Sequence, residues 1–268
     1  MATVILSSNQ NLDYLFYAPL TAKVWNHFGF KALNFVVGKS EIGDFINKTM
    51  LEKTNSEIYE LPESNVFRSD TLSQFCRMYG ACVVEDENEY VLLGDIDLIP
   101  LNSYTYRDFD KMNIINFDLT DRTEVPVCHV GMYVKKWREL LNLKYGNVEE
   151  QINRDLELMS HKSKSKVWEE YWNTDQDFLT KKIKDFGFDK FNFIDRGREP
   201  SGYAYRRVDR GNWNWSKDIE YIDSHMLRNP YSDENFNKTF ELIQHTLKNV
   251  DCSWMQDYHK EFKKLIGA

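Results

Sequence analysis

The chain has 268 residues, 42% of them apolar and 15% aromatic, enough for the core of one large α/β domain or a domain plus an appendage. Acidic residues outnumber basic ones by 42 to 34, a formal charge of −8, which argues against a general binder of phosphate backbone: no nucleic acid is expected, and any anionic ligand must be held locally, by a metal or a few arginines. The four cysteines (Cys76, Cys82, Cys128, Cys252) lack metal-ligand spacing, no apolar run approaches the roughly 20 residues that span a bilayer, and Met1–Ser7 lacks a basic leader, so the sequence reads as cytoplasmic, with reduced thiols, no signal peptide and no transmembrane segment.

In chain order, Thr3–Leu6 predicts a short buried strand that runs into a polar turn, Ser7-Ser8-Asn9-Gln10-Asn11, whose side chains and amides can face a ligand. Leu12–Phe28 predicts a helix with Pro19 as an internal kink or break and Gly29 as its end. Lys31–Val37 is a second strand closed by Gly38, Glu41–Thr54 a helix, and Ser56–Leu61 a third strand. Asp70–Tyr79 is a helix that Ser69 or Asp70 can cap and Gly80 closes. Tyr90–Ile99 is apolar and β-branched apart from Gly94, Asp95 and Asp97, and reads as a strand buried on both faces, stopped by Pro100. This order over the first hundred residues implies a mostly parallel sheet covered by helices. No Gly-x-Gly-x-x-Gly follows the first strand and no Gly-Lys-Ser/Thr loop occurs, so a bound nucleotide is held by neither a dinucleotide fingerprint nor a P-loop.

The second half is less regular. Met112–Phe117 and Val125–Val134 read as strands, and Lys135–Leu143 and Val148–Ser160 as helices. His161–Lys166 is a polar, basic loop, either a mobile segment or a plain solvated connection. Trp172–Phe186 becomes a helix after Asn173-Thr174-Asp175-Gln176-Asp177. Short strands are predicted at Phe191–Ile194 and Ile219–Ile222, on either side of a loop holding Arg196, Arg198, Tyr203, Tyr205, Arg206, Arg207, Arg210, Trp213 and Trp215. Phe236–Val250 and Cys252–Ile266 close the chain as two helices. No repeat or Pro/Gly/Ser linker divides it, so residues 1–231 are expected to form one domain, with a donor half over 1–100 and an acceptor half over 101–231, and residues 232–268 to pack on it.

Asp95 and Asp97 carry the clearest chemistry. On one strand they project the same way, and two adjacent carboxylates at the end of a buried strand repel each other unless a cation lies between them. Such hard oxygen ligands suit Mg²⁺ or Mn²⁺, and a strand's carboxyl end is where open α/β sheets bind ligands. Asp223-Ser224-His225 follows the last predicted strand, and a neutral His225 imidazole can complete a Mn²⁺ shell. Asp175-Gln176-Asp177 is either a helix cap or, with Trp172 and Asn173 before it, part of a pocket for a polyhydroxylated ligand.

These residues carry a resemblance. Tyr90–Pro100 resembles the DxD strand of GT-A fold glycosyltransferases, which use a metal to hold a nucleotide-sugar diphosphate. The polar turn followed by Tyr14 and a helix, the Cys128–Trp137 segment with its Val-Gly-Met-Tyr-Val run, and Asp175-Gln176-Asp177 are similar to features of the retaining family-eight branch, which includes glycogenin and lipooligosaccharide galactosyltransferases. The resemblance implies an α/β GT-A fold with a C-terminal helical extension. It implies that Asp95, Asp97 and His225 hold Mn²⁺ (or Mg²⁺), with Asp95 also reaching the donor. It places Ser7, Ser8 and Asn9, with Tyr14, against the base and ribose, and makes Arg77 and, more weakly, Arg68 donor-contacting basic residues. Asp175 and Gln176 would line the sugar, with Asp177 completing the catalytic motif.

The expected activity is metal-dependent transfer of a sugar from a nucleotide-diphosphate sugar, UDP by resemblance, to a hydroxyl of a glycan, lipid-linked or protein acceptor, with retention. Cleavage of an anomeric C–O bond leaves an increasingly negative diphosphate, which a divalent ion stabilises. Alternatives are an inverting transferase with Asp175 or Asp177 as base, a nucleotidyltransferase or phosphohydrolase, and a non-catalytic carbohydrate-binding protein or inactive scaffold. Phe262, Leu265 and Ile266 alternate with Lys260, Lys263 and Lys264, which allows the last helix either to touch an anionic membrane or to pack on the domain.

Overall fold

The computed structural model describes residues 2–106, 109–117, 124–165, 167–195 and 207–268. Arg196, Arg198, Tyr203, Tyr205 and Arg206 of the arginine-rich loop, and Lys166, lie outside the described residues.

Three apolar runs of the first hundred residues form the strands they predict, β1 (Ala2–Ser8), β2 (Lys31–Val37) and β3 (Glu57–Leu61), and the fourth forms only in its first part, as β4 (Tyr90–Leu93). Between them run α1 (Leu12–Leu15), α2 (Ala18–His27), α3 (Glu41–Thr54) and α4 (Ser69–Cys76). Pro19 does not kink a long helix. It sits in the first turn of α2, where its missing N–H costs nothing, and the chain breaks ahead of it. Further on come β5 (Leu98–Pro100), β6 (Asn113–Phe117), β7 (Val130–Tyr133), α5 (Val134–Leu141), α6 (Val148–Leu158), α7 (Ser160–Ser163), α8 (Trp168–Tyr171), α9 (Thr174–Phe186) and β8 (Asn192–Asp195). The chain ends with β9 (Arg207–Val208), β10 (Asp223–His225), α10 (Asp233–Thr246) and α11 (Trp254–Ile266).

Seven strands form the main sheet in the order β3-β2-β1-β4-β7-β6-β8, and β7 alone runs against the rest. A second sheet, β5-β10-β9, stands apart. Strand alternation divides the core into two layers. Val4, Leu6 and Leu92 face α2, α3, α10 and α11, whereas Ile5, Val91 and Leu93 face α4, α5, α6 and α9. Phe236, Ile243, Met255 and Phe262 therefore bury themselves in the same layer as β1.

Five sequence expectations change here. Tyr90–Ile99 is not one strand: β4 stops at Leu93, and β5 belongs to the other sheet. Gly94 makes the exit possible, because a Cβ there would stand 2.9 Å from Leu6 and 3.2 Å from Val4. Ile219–Ile222 is not a strand, and Asp223-Ser224-His225 is the strand itself, held antiparallel to β5. Ser7 and Ser8 are the last residues of β1, not a turn. His161–Ser163 is helical, and Lys162 forms an ion pair with Asp177. The proposed membrane face of α11 is turned inward: Phe262 is fully buried edge-on against Phe16 and Ile266 packs on the core, leaving Leu265 as its exposed apolar residue.

Candidate active site

β1 pairs with β2 on one side and β4 on the other, so the strand order reverses between β1 and β4, the place where open α/β sheets form a binding crevice. Leu93 lies opposite Ile5, so Ser7 and Ser8 extend past the end of β4. A cleft of about 660 Å³ opens there, a size that suits a nucleotide-sized ligand. Its walls are the end of β1 with Asn9, Asn11 and Tyr14, one face of α4, the Asp95–Asp97 turn, the α8–α9 junction, and Arg210, His225 and Arg228.

The aspartates reach the cleft from a turn. Leu98 N–H donates to Asp95 O at 3.2 Å, closing the turn, while Ile96 plugs the core and its carbonyl accepts from Thr21 Oγ1 at 2.7 Å. Met226 N–H donates to Asp97 O at 2.9 Å and fastens β10's end to the turn. His225 thereby lies beside Asp97, with Nε2 3.4 Å from Oδ2. Arg210 Nη1 and Arg228 Nη1 stand 3.1 and 3.7 Å from the same oxygen. Burial pushes the Asp97 pKa up, but the hydrogen bond and charge of His225 and the charges of Arg228 and Arg210 outweigh it and hold the carboxyl below its ordinary value.

Asp95 turns the other way. It pairs with Arg77 Nη1, while Arg77 Nη2 donates to Asp175 Oδ2 at 2.8 Å. One buried guanidinium thus joins the DxD turn to the start of α9. Asp175 Oδ1 accepts from Gln176 N–H at 2.9 Å, and Gln176 Nε2 donates to Asn173 Oδ1 at 3.0 Å, so the Asp-Gln pair is fixed at the cleft.

Two predicted residues stand outside the cleft lining. Asp177, one helical position beyond Gln176, faces Lys162. Arg68 forks onto Asp70 at 3.1 and 2.9 Å and lies 4.1 Å from the Tyr171 ring centroid, so its charge is spent at the rim. Ser7, Ser8, Asn9, Tyr14, Arg77, Asp95, Asp97, Asp175, Gln176 and His225 all line the cleft.

Sequence reasoning did not single out Asp70, Ser73 and Gln74 as ligand-facing. With Arg77 they repeat at i, i+3, i+4 and i+7 on α4 and the turn after it, a polar stripe on an otherwise buried helix, and that periodicity was the available signal. Arg228, three residues past the end of β10, carried no such signal.

A divalent ion is tested by the donors. Asp97 and His225 already share one point and Asp95 lines the same cleft, an O,O,N set that suits Mn²⁺ or Mg²⁺. Among the described residues no three such groups converge as they stand, because Asp95 is turned to Arg77. The residues fit an ion in kind, with Asp95 exchanging Arg77 for it.

Beside Asp223 on β10 lies a buried histidine. His129 sits at φ 63°, fully buried, with Nδ1 3.7 Å from Asp223 Oδ2. Burial pushes its pKa down to about 4, so it is neutral. Asp223 accepts from Arg207 at 2.6 and 2.8 Å, which anchors the strand that presents His225.

The architecture, a mostly parallel sheet covered by helices with a crevice at the reversal, is that of the GT-A glycosyltransferases. No protein-family profile matches the sequence, and no curated protein matches it either. Solved structures do. The galactosyltransferase LgtC, in complex with donor and acceptor sugar analogs, superposes over 95% of this chain and 99% of its own, with a TM-score of 0.51 and 12% identity. The apo-form glycosyltransferase GlyE of Streptococcus pneumoniae TIGR4 superposes over 99% of this chain with a TM-score of 0.50 and 11% identity, and this chain spans 64% of that one. The expected GT-A fold is therefore present. No helix among the described residues is long and apolar enough to cross a membrane.

Proposed function

We propose that the protein is a nucleotide-sugar glycosyltransferase, metal-dependent and retaining, that takes its sugar from a UDP-sugar and passes it to a hydroxyl of a glycan, lipid-linked or protein acceptor. The observation that carries this reading is the meeting of Asp95, Asp97 and His225 with Arg77, Asp175 and Gln176 in one cleft at the sheet's switch point. LgtC, which has the same fold, was solved with donor and acceptor sugar analogs, and that supports a donor and a glycan acceptor here.

In this reading the base and ribose lie against Ser7, Ser8, Asn9 and Tyr14. Asp97, His225 and Asp95 would hold Mn²⁺ or Mg²⁺, which would supply a Lewis acid where the diphosphate gains charge. Asp175 and Gln176 face the sugar as it becomes oxocarbenium-like. Arg77 Nη2 donates to Asp175 Oδ2 at 2.8 Å and holds that side chain in place at the cleft. Of the two acids offered as an inverting base, Asp175 is ion-paired with Arg77 and Asp177 is outside the cleft lining, facing Lys162. Trp172, half-buried in the cleft lining, offers an aromatic side chain to a sugar acceptor.

The test is incubation with a panel of UDP- and GDP-sugars, with Mn²⁺ and with a chelator, followed by nucleotide release and ¹H NMR of the product. The reading expects release of UDP from one sugar donor, its loss on chelation, and an anomeric coupling that matches the donor. A product of inverted configuration removes the retaining claim, and nucleotide bound without sugar transfer or donor hydrolysis removes the transferase.

A further inference from the structure

The charges in the cleft are unevenly placed. Arg77 is shared by Asp95 and Asp175, one cation for two anions. At the other end Arg210 and Arg228 converge on the single carboxylate of Asp97, two cations for one anion, with His225 beside them. If Asp97 needed only a counter-ion, one guanidinium would serve, and the second adds repulsion between like charges. That surplus is explained by an anion that is not part of the chain.

We propose that Arg210 and Arg228 form a clamp for the donor's diphosphate that holds it with or without a divalent ion. The inference rests on the nucleotide-sugar reading and assigns its anion-binding residues. Guanidinium forks match phosphate oxygens two at a time. Both side chains are partly exposed, 29% and 37%, so turning from Asp97 to a ligand costs little desolvation. Arg228 lies on the same cleft wall as Tyr14: its guanidinium lies 4.2 Å from the Tyr14 ring centroid and donates to the Tyr14 hydroxyl. Ser8 Oγ on that wall is buried without a hydrogen-bond partner, one more donor for an oxygen-rich ligand. In a chain of net charge −8, such a local cation pair is what a polyanion requires.

The experiment is calorimetric titration of the full-length protein with UDP, UMP and uridine, in Mn²⁺ and in EDTA. The clamp predicts that in EDTA the wild type binds UDP at least about tenfold more tightly than UMP, a difference of about 1.4 kcal/mol. Arg210→Gln with Arg228→Gln abolishes that ratio while the variant keeps its thermal midpoint, and the paired Arg→Lys variant restores part of it. Binding of UDP in Mn²⁺ but not in EDTA, or an unchanged UDP-to-UMP ratio in the double Gln variant, overturns the clamp and leaves the nucleotide-sugar reading intact. No binding of any of the three in either buffer removes both.

Discussion

At one end of the cleft a single guanidinium, Arg77, serves two carboxylates and is only 8% exposed; at the other a single carboxylate, Asp97, faces two guanidiniums that are each about a third exposed. The first arrangement ties the fold together, since the DxD turn and the start of α9 meet through it. The second is not needed for that purpose, because β10 is already fastened to the turn by the Met226–Asp97 backbone bond and to β9 through the Arg207–Asp223 pair. The buried end ties two elements through one shared cation, whereas at the other end partly exposed cations outnumber the carboxylate, the surplus on which the clamp proposal rests.

The sharpest way to break that contrast is to remove a cation from each end. Arg77→Met strands the buried Asp175 beside Asp95 and is expected to cost about 3–5 kcal/mol of unfolding free energy, measured by urea denaturation. Arg210→Gln is expected to cost less than about 1 kcal/mol, as a partly exposed partner does. Equal losses would erase the distinction between the two ends.

A smaller effect comes from His129, beside Asp223. His129 is neutral in the folded protein, with a pKa pushed down to about 4 by burial, against an ordinary 6.5. Below pH 6.5 the unfolded chain takes up a proton that the folded one refuses until about pH 4, so stability present above 6.5 falls across that window. The loss approaches 3 kcal/mol at roughly 1.4 kcal/mol per pH unit. His129→Asn, whose side chain tolerates the positive φ, is expected to flatten the dependence of the urea midpoint between pH 7 and 4.5; an unchanged slope assigns the loss elsewhere.

The smallest expected effect is at the motif's second acid. Asp177 pairs with Lys162 where both are about a third exposed, so Asp177→Asn is expected to alter stability by less than about 1 kcal/mol and turnover by less than about threefold. Asp175→Asn, at the cleft, is expected to lower turnover by about a hundredfold or more. Reversal of that order in donor turnover would put Asp177 back into the chemistry.

Much of the sheet was legible because its strands are apolar runs punctuated by Gly and polar turns, as at Lys31–Val37 before Gly38. The same rule misled at Tyr90–Ile99. Apolar character cannot distinguish one long buried strand from two short ones in different sheets, and the exit at Gly94 depends on contacts with Val4 and Leu6 that are remote in sequence. Both aspartates line the cleft, but not for the reason given in the sequence: they stand on a turn, not on one strand face, and turn to different partners, Asp95 to Arg77 and Asp97 to His225. Asp177 and Arg68 were carried by motif and charge alone, and their partners, Lys162 and Asp70, were already there to take them. The converging arginines could not be read from spacing: Arg210 and Arg228 lie more than a hundred positions from Asp97, and only the pairing of β10 with β5 brings His225 and its neighbours to the turn.

The donor site itself is tested most directly at Asp97, the residue on which His225, Arg210 and Arg228 converge. Donor turnover by Asp97→Asn, measured as UDP release beside the wild type and with folding checked by circular dichroism, is expected to fall by a factor on the order of a hundred or more. A folded Asp97→Asn protein that turns over the donor at the wild-type rate would contradict a nucleotide-sugar site at this cleft.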